Sequence, residues 1–202
     1  MVAVADWIIA DSGGKGSVVI NQSTDGPAPV AYVDAAEEEF EQACPDCEVA
    51  INEISSSNFS LIAPSTSSAL LKAPDATYVV SEFDQYLQPT LGGVQQAGKT
   101  ASVKGLSGGA QLAGLQMLAD DNFLYAAAGQ SAAYQGWADA DAVLRLMTGT
   151  SGADLPQYEI PIRLFTRDTI DDVQLTEEAQ ASGEWFGPTD FPASYEQLWG
   201  VQ

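Results

Sequence analysis

The 202-residue sequence contains no histidine. That removes the usual general base near neutral pH and the commonest metal ligand. Basic residues are also scarce: 7 Lys plus Arg stand against 28 Asp plus Glu, a net charge of -21. An anionic surface this strong repels phosphate backbones and anionic lipid heads, which argues against nucleic acid and membrane surfaces as partners. The composition fits a solvated acidic surface that keeps the chain soluble, and it also fits a salt-adapted cytosolic protein. No stretch reaches the ~18 consecutive apolar residues of a membrane span. The opening "MVAVADWIIADSGG" has no basic flank, and Asp6 interrupts its apolar run, so it does not read as a secretory signal. A signal for export would lie upstream of residue 1.

Cysteine is limited to Cys44 and Cys47, in "ACPDCEV". Two cysteines without histidine cannot complete a tetrahedral zinc site, and no metal is expected. A thioredoxin-type pair opens a helix, where the dipole lowers the thiol pKa. This pair instead follows the helical stretch "VDAAEEEFEQA", with Pro45 and Asp46 as turn residues. A structural disulfide across that turn is the expectation, and it implies an oxidising compartment. Two free thiols are the competing reading.

What is present is a regular alternation. Hydrophobic residues make up 46% of the chain, enough for one well-cored domain. Strand-like runs at 17–22, 48–54, 77–83, 101–107, 122–129 and 158–166 alternate with helical periodicity. Pro161 demotes the last strand toward an edge. The helix predicted over 131–148 has Ala133, Trp137, Ala140, Leu144 and Met147 on its inner stripe. Strands and helices alternating through short loops predict a three-layer α/β fold, a doubly wound, mostly parallel sheet of five to six strands. Residues 1–166 form that lobe. Residues 167–202, acidic and aromatic, are expected to be an irregular extension packing on it through Trp185, Phe186, Tyr195 and Trp199.

Two motifs fail on context. Within "GGVQQAGKT", Gly93, Gly98, Lys99 and Thr100 match a P-loop. A genuine P-loop opens a helix, whose N-terminal N–H groups meet phosphate. Here Gly98 ends a helix and Lys99-Thr100 lead into a strand, so the dipole has the wrong sign. Gly105-Leu106-Ser107-Gly108-Gly109 matches the nucleophile elbow G-x-S-x-G and does lie between strand and helix. No histidine exists to take the Ser107 proton, which leaves only a Ser–Lys variant with Lys99 or Lys104. No catalytic residue and no cofactor are expected.

In a doubly wound sheet, ligands bind beyond the carboxyl ends of the strands. Those ends carry Gln22 to Asp25, Ser55 to Asn58, Phe83, Asp84, Gln85, Ser107, Gly108, Gln130 and Ser131. Carboxylates, amides and hydroxyls with an aromatic face suit a neutral polyol such as a sugar. The candidate ligand-binding residues are therefore Asp25, Phe83, Asp84, Gln85, Ser107, Gly108 and Gln130. Asp84 also reads as the N-cap of its own helix, Phe83 as core and Gln130 as an ordinary loop residue. Tyr134 and Trp137 could stack on a sugar, although the spacing of Trp137 favours core packing.

The stretch "LLKAPDATYVVSEFDQYLQPTLGGVQQAGKTASVKGLSGG" resembles the type I, ribose-binding-like periplasmic binding proteins of sugar ABC importers. In that family a Pro-Asp turn precedes a strand ending in Asn-Asp. A helix ending "AGK" and a strand ending Gly-Phe-Asp-Gly follow; "EFD" and "GLSG" stand in those places here. "LYAAAGQSAAYQGWADADAVLRLMTG" and the tail "LFTRDTID…SYEQLWG" are also similar to the family's. The resemblance implies a flavodoxin-like, periplasmic-binding-protein-like lobe, with Asp84 and Gln130 in ligand-pairing positions. Ser107 replaces the usual aspartate, and "QSTDGPAPVAY" lacks the arginine often found in the first ligand loop. The resemblance further implies an extracytoplasmic receptor, periplasmic or at the cell surface with or without a lipid anchor, that delivers a small polar solute to an ABC permease. It covers only the family's C-terminal portion, so an N-terminal lobe is expected to be missing and ligand affinity to be weak or nil. The competing readings are an α/β hydrolase using Ser107 and a cytosolic sensor domain.

Overall fold

The computed structural model describes residues 1–150 and 160–201. It contains a six-stranded sheet in the order β2-β1-β3-β4-β5-β6. The strands are β1 (Ser17–Ser23), β2 (Glu48–Ile54), β3 (Tyr78–Ser81), β4 (Lys104–Ser107), β5 (Leu124–Gln130) and β6 (Ile162–Thr166). The pairs β1–β2, β1–β3, β3–β4 and β4–β5 are all parallel. As Pro161 implied, β6 lies at an edge. Residues 158 and 159 of the predicted last strand fall outside the described residues.

Alternation along β1 decides which helices cover which face. Val18 and Ile20 face α1 (Val2–Ser12) and α2 (Pro27–Ala43), joining Val4, Ile8, Val33 and Phe40 in one core. Val19 and Val79 face the other way, toward Leu70 of α3 (Ile62–Lys72) and Val94 of α4 (Leu87–Gln96). A period of two within each strand thus builds two cores, and the three-layer expectation holds. Strand order 2-1-3-4-5 reverses direction between β1 and β3, the switch point at which such sheets open a crevice.

Beneath α3 and α4 the sheet carries a polar network. Asn21 is fully buried; its Nδ2 donates to Thr66 Oγ1 at 2.9 Å and to Thr90 Oγ1 at 2.8 Å. Its Oδ1 accepts from Asn52 Nδ2 at 2.7 Å, and Asn52 Oδ1 accepts from Ser65 Oγ at 2.7 Å. The two helices meet at Gly93, where an added Cβ would lie 2.6 Å from Thr66 Cβ and 2.7 Å from the Ala63 carbonyl oxygen.

The P-loop look-alike is a helix end, as its context predicted. α4 stops at Gln96, Gly98 takes φ 69°, and its N–H donates to the Gln95 carbonyl. The cysteines form a disulfide, Cys44–Cys47, after α2, and Gly16 donates its N–H to Cys47 Sγ at 3.3 Å.

The chain divides into two compact units, residues 1–128 with 164–171, and residues 129–163 with 172–201. The expected irregular tail is also largely helical in the second unit, with α7 (Glu177–Ser182) and α8 (Phe191–Trp199) following α5 (Leu112–Ala119) and α6 (Ala132–Met147) in chain order. The stripe predicted for α6 is out of phase. Met147 is 78% and Leu144 42% exposed, whereas Ala138 and Asp141 are buried. Asp141 can be buried because Arg145 Nε and Trp199 Nε1 donate to its two oxygens, at 2.7 and 2.8 Å. Trp137 stacks on Trp199 and Tyr195, so its aromatic face is used within the unit.

Candidate functional site

At the carboxyl ends of β1, β2 and β3 a set of polar side chains converges. The β1 end runs on to Asp25, an exposed carboxylate in the turn before α2. Its Oδ1 accepts from Ser55 Oγ at 2.6 Å, just beyond β2. Its Oδ2 accepts from the Ser56 N–H at 2.8 Å, from Tyr86 Oη at 3.1 Å and from Ser23 Oγ at 3.2 Å. The Ser55 hydroxyl and the Ser56 N–H hold this carboxyl well below the usual carboxylate range. Asp25 is therefore a fixed negative charge that ties three strand ends together.

Glu82 follows β3 directly and is only 1% exposed. Its Oε2 accepts the Ser23 N–H at 2.6 Å, bridging the switch point, while Oε1 has no hydrogen-bond partner among the described residues. Burial pushes its carboxyl up to about 7, against the pull of the Ser23 N–H, and the nearby Asp25 adds to the rise. Sequence reasoning did not single out Glu82. The available signal was an acidic residue directly behind the apolar run "YVVS", beside Phe83 and Asp84.

The remaining expected residues are placed as follows. Phe83 is half-buried, with its ring 6.2 Å from that of Tyr86, and Gln85 is exposed. Asp84 opens a short 3-10 turn (Asp84–Tyr86) but does not cap it with its side chain. Instead it reaches to β4, where its Oδ1 accepts the Ser107 hydroxyl and its Oδ2 the Gln111 N–H at 2.6 Å. Burial raises its pKa, opposed by those two donors. Ser107 is fully buried, and its Oγ also accepts the Gly109 N–H at 3.0 Å. Gly108 is a close approach, since a Cβ there would lie 2.6 Å from the Glu82 carbonyl oxygen. Asp25, Phe83, Asp84, Gln85, Ser107 and Gly108 thus share the strand ends of the first unit. Gln130 belongs to the second unit, where its Nε2 donates to Gln135 Oε1 at 2.6 Å.

The two lysines considered as bases for Ser107 are engaged elsewhere. Lys104 begins β4, three residues before Ser107, and pairs with Asp11 at 2.6 Å. Lys99 donates to the carbonyls of Pro74 and Ala73. Among the described residues, no group of three or more Cys, Asp or Glu side chains is placed to hold a metal ion. Chemically, the edge can accept hydrogen bonds from a small ligand and present negative charge to it.

No family model and no curated protein matches the sequence. Solved structures do match. A solute-binding protein of an ABC transporter from Agrobacterium vitis, with bound allitol, aligns with a TM-score of 0.67 at 21% identity, covering 85% of this chain and 60% of that one. The Caulobacter myo-inositol-binding protein bound to myo-inositol aligns at 0.68 and 17% identity, covering 85% and 58%. A 5-methylthioribose transporter solute-binding protein from Thermotoga lettingae aligns at 0.65 and 20% identity, covering 97% and 63%. This chain therefore spans less than two thirds of the length of these neighbours. In fold, the chain is similar to the type I, ribose-binding-like solute-binding proteins of sugar ABC transporters, as its sequence resemblance implied.

Proposed function

We propose that the chain is a non-catalytic lobe of an exported solute-binding protein, taking a small polar, sugar-like solute at its carboxyl edge for delivery through an ABC permease. The observation that carries this reading is the convergence of Asp25, Glu82, Ser23 and Tyr86 at the switch point of this fold. The neighbours with bound allitol and bound myo-inositol support the ligand class. Asp25, Phe83, Asp84, Gln85, Ser107 and Gly108 remain the proposed ligand-binding residues of the first unit, and Gln130 is the ligand-pairing residue proposed in the second. Residues 1–166 are proposed as the lobe proper and 167–202 as its extension. The Cys44–Cys47 disulfide supports an extracytoplasmic location, because such bonds persist in oxidising compartments.

A second lobe closing over the ligand is part of this proposal, and the chain alone then holds its ligand weakly. The test is a titration of the isotope-labelled chain with neutral and amine-bearing polyols, followed by amide NMR. Fast-exchange shifts are expected at 23–25, 55–57, 82–85 and 107–109, without saturation by calorimetry. Unmoved amides at this edge with every polyol would sink the proposal.

A further inference from the structure

Glu82 combines a buried carboxyl, one unpartnered oxygen and a position at the switch point of the sheet. A desolvated carboxylate that lacks a partner is costly, and it is relieved either by a proton or by a cation. We infer that the solute taken at this edge carries a basic nitrogen, as in an amino sugar or aminopolyol, and that Glu82 Oε1 receives its ammonium group. This inference rests on the solute-binding reading above and names the chemical class of that solute.

Three observations favour a cation over a neutral hydroxyl. First, Glu82 accepts the Ser23 N–H at 2.6 Å and Asp25 accepts the Ser23 hydroxyl at 3.2 Å, so two carboxyl groups meet at one residue and press on one region. A hydroxyl can fill the vacant acceptor but cannot offset that repulsion, whereas one ammonium group does both. Second, among the described residues of this unit no lysine or arginine lies at these strand ends. The five basic residues of this unit occupy other places: Lys15, Lys72, Lys99 and Lys104 precede or begin strands, and Arg167 bonds the Leu124 carbonyl and Asp121 where β5 begins. Third, Asp25 is pinned by Ser55, Ser56 and Tyr86, so its charge is held beside the site with no rearrangement. Besides Asp25, the charged group that acts on Glu82 among the described residues is the amino group of Met1. Burial lowers the pKa of that amine, and it does not hydrogen-bond Oε1.

The experiment compares glucamine with glucitol, the same six-carbon polyol with and without an amine. Each is titrated into the isotope-labelled chain near pH 8. Glucamine is expected to shift the Ser23 amide and to bind about tenfold tighter than glucitol, one decade per unit by which it lowers the Glu82 pKa. Glucitol binding as tightly as glucamine, with shifts at the same edge, overturns the amine preference and leaves the solute-binding reading standing. No edge shift with either probe overturns both. Glu82→Gln keeps an acceptor for the Ser23 N–H and removes the charge, so it is expected to equalise the two affinities; an undiminished preference overturns the role of Glu82. Should that variant fail to fold, the side-chain carboxyl titration of Glu82 in the unaltered chain decides. A midpoint that glucamine lowers and glucitol does not supports the inference, and a midpoint unmoved by saturating glucamine rejects it.

Discussion

Ser107 donates its hydroxyl proton to Asp84, joining the end of β4 to the residue that opens the turn after β3. Asp84 also accepts the Gln111 N–H at the start of α5, so one carboxylate fastens three segments. Removing the hydroxyl leaves a half-buried carboxylate short of a donor. Ser107→Ala is expected to cost about 1–3 kcal/mol in urea unfolding. Reaction of unaltered Ser107 with a fluorophosphonate would contradict a hydroxyl so committed and revive the hydrolase reading.

A second expectation concerns pH. Glu82 carries a folded-state pKa raised from the ordinary 4.5 to about 7. Between those values the folded chain holds a proton that the unfolded chain has released, so stability falls as pH rises through the window. Glu82→Gln removes this loss. Relative to the parent, the variant should gain on the order of 2 kcal/mol between about pH 5 and about pH 8. A difference in unfolding free energy that stays flat over that range would show that Glu82 titrates normally.

Asn21 holds the polar network between the sheet and the helices α3 and α4. Asn21→Leu strands Asn52 Nδ2 inside the fold and deprives both threonine hydroxyls of a donor. The expected loss is at least about 2 kcal/mol by denaturant unfolding. A variant as stable as the parent would mean that the hydroxyls find other partners at no cost.

The glycines of "GGVQQAGKT" separate by mechanism. Gly93→Ala drives a methyl into Thr66 and the Ala63 carbonyl, and it is expected to cost at least the roughly 1–3 kcal/mol of overpacking. Gly98→Ala meets nothing within 4 Å and costs only the left-handed backbone, roughly 1–2 kcal/mol. Thermal unfolding should rank them in that order. Neither substitution should alter nucleotide affinity, which is expected to be nil.

Reducing Cys44–Cys47 opens a loop with a sequence separation of 3, so the loss should be small, about 2 kcal/mol. Differential alkylation of chain recovered without reductant would report the bond directly. Free thiols in that chain would contradict it.

The layered sheet was legible because strand and helix periods switch cleanly along the chain, and the "AGK" helix stop was legible because Gly98 needs a positive φ. The Cys44–Cys47 bond followed from a turn between helix and strand. What was not legible depends on partners distant in sequence. Glu82 looked like the polar end of a strand, because only the placement of Ser23 shows that one oxygen is used and the other is not. The phase of α6 was misread because Asp141 is buried beside Arg145 and Trp199, a pairing that a count of apolar residues cannot register. Asp84 was weighed as the cap of its own helix, whereas its oxygens serve β4 and α5.

The side-chain amide of Asn21 has two unlike ends, and that makes it a gauge of alignment. Its donor end addresses the threonines under α3 and α4, and its acceptor end addresses Asn52, the residue directly opposite it in the β1–β2 ladder. Sliding β2 by one residue would set Ile51 or Glu53 against that acceptor, leaving it either dry or facing a second acceptor. Parallel strands whose inner faces are all valine and isoleucine could tolerate such a slip, but this pair cannot. The amide proofreads the register of the edge strand, and with it the placement of Ser55 and Ser56 against Asp25.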